Sequence, residues 1–185
     1  MAVGDRAGVQ EPDLTLIVDG ANVVGSRPDG WWRDRAGAAV RLYDELAGLA
    51  ERGAAGIPAA QLATREDGEA PAGPEQAGPG QVGTGQATQQ DGAQTVAVVL
   101  VLEGAAKAAA ARITARTAGD GRDRAGDLGT VQVVSAPGSG DDEIVRLARS
   151  RPGHRIVVTS DRELRRRSVA AGAQVAGPSW LRARL

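Results

Sequence analysis

The chain has 185 residues, enough for one domain, and 42% of them are apolar; with no phenylalanine, one tyrosine and three tryptophans, its core must be built from Val, Leu, Ile and Ala. The absence of cysteine excludes disulfides and thiolate metal sites, and a single histidine, His154, argues against a His-rich zinc site, so any metal here has to be held by oxygen. The net charge of −1 hides an asymmetry: Ile144 to Leu185 holds ten arginines against two acids, a net +8, whereas residues 1–143 carry 12 bases and 21 acids, a net −9.

The N-terminal MAVGDRAGVQEPD has neither a basic nor an apolar signal region, and no segment is apolar for long enough to span a bilayer, so a cytoplasmic protein is expected. Residues 1–12 are expected to form a disordered tail. The first strand is expected at LTLIV (14–18), and it runs directly into Asp19, Gly20, Ala21 and Asn22. Trp31 and Trp32 follow in the loop that enters a helix over 34–51, which places Ala39, Leu42, Tyr43, Leu46, Leu49 and Ala50 on one face. Residues 53–94 contain nine Gly, four Pro and seven Gln but only three of Val, Ile or Leu. Such a segment buries too little apolar surface to offset its ordering entropy, so it reads as a low-complexity disordered insert within one domain made of 13–52 and 95–185.

Beyond it, strands are expected at 95–102 (TVAVVLVL), 131–135 (VQVVS), 155–159 (RIVVT) and, more weakly, 173–177 (AQVAG). Helical patterns lie between them at 105–116, 141–150 and 162–171, with a last short helix after Pro178. The strand runs are β-branched without strict alternation, as in strands buried on both faces. Strand and helix alternate throughout, which predicts an α/β domain with a parallel sheet and right-handed crossovers.

Sites in such sheets form at the carboxyl ends of strands, and there the acids collect. Asp19 follows the first strand, Glu103 the second, Asp141 and Asp142 open the helix after the third, and Asp161 lies just past the fourth. Carboxylates converging on one sheet edge repel one another unless a cation or protons intervene. Mg²⁺ or Mn²⁺, which take oxygen ligands, suit that set, and the chemistry implied is phosphodiester hydrolysis. Each acid also has a local reading. Ser139 with the acids after it makes a good helix start, Ser160 or Asp161 suits an N-cap, Glu103 suits a solvated loop, and Asp19 itself suits a cap. Asn22 suits either ligand orientation or turn stabilisation, and Thr159 and Ser160 suit either a carboxylate or local backbone groups.

At this point four motifs resemble those of the YacP-like branch of the NYN-domain family, within the PIN-like nuclease superfamily: LTLIVDGANVVGS, VVLVLEG, GSGDDEIVRLA and IVVTSDRELRRR. The resemblance covers nearly all of 13–52 and 95–180. It implies a PIN-like three-layer α/β/α sandwich with strand order 3-2-1-4-5 and a metal-dependent ribonuclease site. The resemblance implies Asp19, Asp141, Asp142 and Asp161 as the metal-binding acids with Asn22 beside them; the leading hypothesis has Asp19, Asp142 and Asp161 hold the ion and Asp141 support it or bind a second, with Glu103, Thr159 and Ser160 in supporting places. Glu103 stands where the family more usually has Asp, and the Gly- and Gln-rich insert departs from the family's compact pattern.

RNA is the expected partner, held by Arg162, Arg165 and Arg166 after Asp161; consecutive helical residues diverge, so Arg165, Arg166 and Arg167 cannot all face one groove. Trp31 and Trp32 suit either stacking on unpaired bases or packing at the helix entry. Two other functions compete with the ribonuclease: a non-catalytic RNA-binding module on the same fold, and a haloacid-dehalogenase-type phosphatase, which needs a second Asp where Ala21 stands. A homodimer is compatible with the sequence, but nothing in it calls for one.

Overall fold

In the computed structural model, which describes residues 12–53, 57, 95–117 and 130–185, five parallel strands form one sheet in the order β3-β2-β1-β4-β5. The strands are β1 (Leu14–Asp19), β2 (Val96–Leu102), β3 (Val131–Ser135), β4 (His154–Val158) and β5 (Gln174–Ala176). The helices are α1 (Gly20–Gly25), α2 (Arg35–Arg52), α3 (Ala108–Thr117), α4 (Gly140–Ser150), α5 (Arg162–Ala170) and α6 (Pro178–Arg182). Residues 1–11 of the expected tail and most of the expected insert lie outside the described residues. Among the described residues, no helix is long and apolar enough to cross a membrane.

The two-period of the strands sorts their apolar side chains into two cores. Leu14, Leu16 and Val18 of β1 point to one face with Val98, Leu100 and Leu102 of β2, where Leu42, Leu46 and Leu49 of α2 and Ile113 of α3 cover them. Ile17 points the other way with Val99, Val101 and Val157, under Ile144, Val145 and Leu147 of α4 and Leu164 of α5. Leu14, Leu16, Ile17 and Val18 of β1 are apolar on both faces because of this two-sided burial, with Thr15 a buried polar residue among them, and the result is a three-layer α/β/α sandwich.

Register brings the strand ends level. Asp19 lies beside Val101 of β2, and Val18 beside Val158 of β4. The carboxyl ends of the three central strands therefore open on one edge, with Glu103 and Thr159 immediately beyond. The predicted helix over 105–116 is a tight turn of 3₁₀ helix at Gly104–Lys107 that continues as α3. One helix was not expected: the residues after Asp19 form a six-residue helix, α1, rather than a simple turn.

Candidate active site

Asp19 is 7% exposed at the end of β1, and both its carboxylate oxygens are engaged. Oδ1 accepts the Asn22 N–H at 3.1 Å, which makes Asp19 the N-cap of α1, and Oδ2 accepts the Thr159 hydroxyl at 2.9 Å. Capping and site position are thus properties of one side chain rather than alternatives. The following glycine is required by close approach: a Cβ on Gly20 would lie 2.7 Å from the Val101 carbonyl oxygen, so only glycine lets α1 start directly over β2. Thr159 is fully buried, and its hydroxyl oxygen also accepts the Asp161 N–H at 3.1 Å, which links the ends of β1 and β4.

Asn22 extends the same link, since its Oδ1 accepts the Ser160 N–H at 3.1 Å and the Ser160 hydroxyl. Asp161 caps α5, its Oδ1 accepting the Leu164 N–H at 2.7 Å. Glu103 reaches across from the end of β2 to accept the Gly140 N–H at 2.8 Å and so satisfies the start of α4. Ser139 occupies the N-cap position of α4 without making a side-chain cap bond. A Cβ on Gly140 would fall 2.7 Å from Glu103 Oε2, so glycine there makes room for this contact.

The two acids that open α4 separate. Asp141 is half-buried and within electrostatic reach of the strand-end acids: burial first, and then the charges of Asp19, Asp161 and Glu103, push its carboxyl above the ordinary carboxylate range, with Arg167 opposing them. Asp142 is turned to the outside and accepts Arg167 Nη2 at 2.5 Å. Helical geometry explains the divergence, because neighbours in sequence point about 100° apart. The Asp19 carboxyl is also raised, chiefly by burial and further by Glu103, against the lowering effect of the Asn22 N–H, the Thr159 hydroxyl and the Asn22 side chain.

Asp19, Glu103, Asp141 and Asp161 therefore share one edge, while Asp142 stands apart. Among the described residues no three His, Asp or Glu side chains already stand close enough together to hold one ion. The donor chemistry nonetheless fits Mg²⁺ or Mn²⁺: the groups are all carboxylates, and Mg²⁺ commonly binds through one or two of these while keeping several waters.

The arginines after Asp161 diverge as their helical positions require. Arg162 is exposed, Arg165 Nη1 donates to the Thr159 carbonyl at 3.2 Å, and Arg166 pairs with Glu163 on its own helix at 2.6 Å. The tryptophans do not enter the core. Residues 31–33 form a 3₁₀ turn in which Trp32 is 55% exposed and meets Trp31 edge to face, with ring centroids 6.2 Å apart. Sequence reasoning gave no part to Gly20 or Gly140, whose need for a missing Cβ depends on residues from other elements. It also missed the pairing of Arg167 with Asp142, which lies 25 residues away in the chain.

No family model matches the chain, and no curated protein does. Among solved structures it is similar to a crystal structure of Rae1 (YacP) from Bacillus subtilis, in a point-mutant form. The two are 15% identical with a TM-score of 0.49, over 91% of this chain and 72% of that one.

Proposed function

We propose that the protein is a Mg²⁺- or Mn²⁺-dependent ribonuclease whose site is the edge formed by Asp19, Glu103, Asp141 and Asp161. The observation that carries this reading is a pair of linkages at the strand ends. Thr159 joins Asp19 to Asp161, and Glu103 draws the start of α4, with Asp141, against the end of β2. Asp19 and Asp141, both pushed above the ordinary carboxylate range and hydrogen-bonded to no basic side chain among the described residues, would be stabilised in their charged form by a cation bound there.

The ion would be held by Asp19 and Asp141, with Asp161 and Glu103 beside it, whereas the sequence led to Asp19, Asp142 and Asp161 as its holders with Asp141 in support. Such an ion, when bound, would act as a Lewis acid toward the phosphoryl group and would activate water for attack. The chain's own contribution is positioning. Thr159 and the Asn22 N–H hold the Asp19 carboxylate in one orientation, and exposed Arg162 offers a cation to a phosphate next to Asp161. The choice of RNA over DNA rests on the resemblance of the four motifs to YacP-like NYN proteins.

A non-catalytic RNA-binding role is favoured by one observation: Glu103 and Asp161 each commit an oxygen to a helix N–H. The deciding experiment incubates a mixed set of RNAs with the protein in Mn²⁺ and repeats it with Asp19→Asn, which retains an acceptor for the Asn22 N–H. Cleavage by the wild type and its loss in the variant is the expected result. Equal cleavage by both would remove the carboxylates from the mechanism, RNA binding without cleavage in any metal would establish the non-catalytic role, and phosphate release from small esters would mark a phosphatase.

A further inference from the structure

A second feature lies beside this edge, at the far end of α1. Arg27, Asp29, Arg41, Glu45 and Arg182 line a cleft between α1, α2 and α6. Arg182 bonds the Val23 carbonyl and donates to Ser26 Oγ at 3.0 Å, and Arg27 pairs with Glu45 at 2.9 Å. Arg41 is exposed and makes no ion pair among the described residues. Burial first, and then the Arg27 charge, lowers the Arg182 guanidinium from its ordinary value, with Glu45 and Asp29 of the same cleft opposing. The cleft thus holds three guanidiniums against two acids, and Arg41 is the cation left open to a phosphate.

The tryptophan turn adjoins this cleft. The Trp31 N–H donates to Asp29 Oδ1 at 3.2 Å, and the Trp31 ring lies against Gly25, the last residue of α1. The turn is held at both ends, by the Arg33 N–H on the Gly30 carbonyl at 3.0 Å and the Asp34 N–H on the Trp31 carbonyl at 3.2 Å. Arg35 lies over the Trp31 ring, 5.4 Å from its centroid. Trp32 is thus an exposed indole on a fixed turn, braced from behind by a second indole. An indole so placed loses little conformational freedom on binding.

We propose that Trp32 is a stacking site for an unpaired base of single-stranded RNA, with neighbouring phosphates held at the arginine cleft. Nucleic acid fits this patch better than a protein partner because an aromatic face and an excess of guanidiniums occur together, and α1 links the patch to Asp19. Six helical residues rise about 9 Å, which is the span of α1 from Asp19 to the end where the Trp31 ring packs against Gly25. A base inside a duplex has no free face for an indole, so the site selects single strands. This inference deepens the ribonuclease reading by specifying the substrate's form and rests on it for the choice of RNA.

The test measures binding in EDTA, where metal-dependent cleavage is silent, using a labelled 12-nucleotide oligouridylate and a 12-base-pair RNA duplex followed by fluorescence anisotropy. Trp32→Ala is expected to weaken binding of the single strand at least fivefold, with Trp32→Phe recovering most of the loss and duplex binding changing less than twofold. Arg41→Ala is expected to lower the slope of log affinity against log salt by about one. The proposal is overturned if the wild type does not bind the single strand, if Trp32→Ala binds it within twofold of the wild type, or if duplex binding falls equally. It is also overturned if Trp32→Ala abolishes a dimer seen by sedimentation while RNA binding persists, since the patch is then a protein interface. Trp32-dependent binding by a protein that cuts no RNA in any metal upholds the stacking site and refutes the nuclease. Asp19-dependent cleavage with binding indifferent to Trp32 does the reverse.

Discussion

Replacing Asp141 by Asn removes one charge from the carboxylate edge while leaving its size almost unchanged. The Asp141 carboxyl is raised by burial and by Asp19, Asp161 and Glu103, and lowered by Arg167. Solvent screening keeps each partly exposed charge pair to about 0.2–1 kcal/mol, so three repulsions against one attraction leave a net cost on the order of 1 kcal/mol. Removing an anion from the first turn of α4 takes back about 0.3–1 kcal/mol of favourable dipole interaction. Burial of the charge adds to the cost, and the balance favours the variant by on the order of 0.5–1 kcal/mol, a rise in Tm of about 1–4 °C. Because the folded pKa lies above the unfolded value, the wild type's stability contribution from this group is fully present below that value, 3.8, and is lost as pH rises through the folded pKa. The advantage of Asp141→Asn is therefore expected to be absent near pH 3.5, to grow above it and to hold at pH 7. It should shrink in 1 M KCl as the repulsions are screened. Mg²⁺ should reverse the order, since a ligand at a hundredfold excess over its Kd stabilises the binding-competent protein by about 2.7 kcal/mol. Thermal denaturation in EDTA and in Mg²⁺ from pH 3.5 to 8 measures all of this. A variant less stable than the wild type in EDTA at pH 7, or an advantage indifferent to pH, would refute the picture of mutually repelling carboxylates.

Two further outcomes probe the scaffold around that edge. Gly20→Ala places a Cβ 2.7 Å from the Val101 carbonyl oxygen and 3.0 Å from Leu102 Cδ2, so α1 must shift away from β2; a loss of about 1–3 kcal/mol in urea denaturation is expected, with weakened Mn²⁺ binding. Asp142→Asn removes the partner of Arg167 but leaves the inward-facing acids, so its cleavage rate in Mn²⁺ should fall much less than that of Asp141→Asn, and the opposite ranking would show that Asp142 is the ligand.

The strand and helix succession could be read from the sequence because each strand is buried on two faces and each helix on one. LTLIV (14–18) and VAVVLVL (96–102) have no polar face to offer, and α4 and α5 carry apolar stripes against the same sheet. The placement of acids at successive strand ends follows from that succession alone. The division of labour between Asp141 and Asp142 does not, since both open the same helix and only the direction of α4 against the sheet turns one inward and the other to Arg167. Nor could the sequence show that Glu103 would bond the Gly140 N–H, a contact between residues 37 apart.

The tryptophans carry the same lesson. Their position before α2 suited packing as well as exposure, and the 3₁₀ turn at 31–33 with its edge-to-face pair leaves Trp32 outside the core. Hydrophobic periodicity depends on near neighbours and is written locally, so it determined the α/β alternation, the parallel sheet and the strand-end acids. The facing of individual side chains across the sheet edge depends on contacts between segments far apart in the chain, and only the packed tertiary structure decided which carboxylates meet.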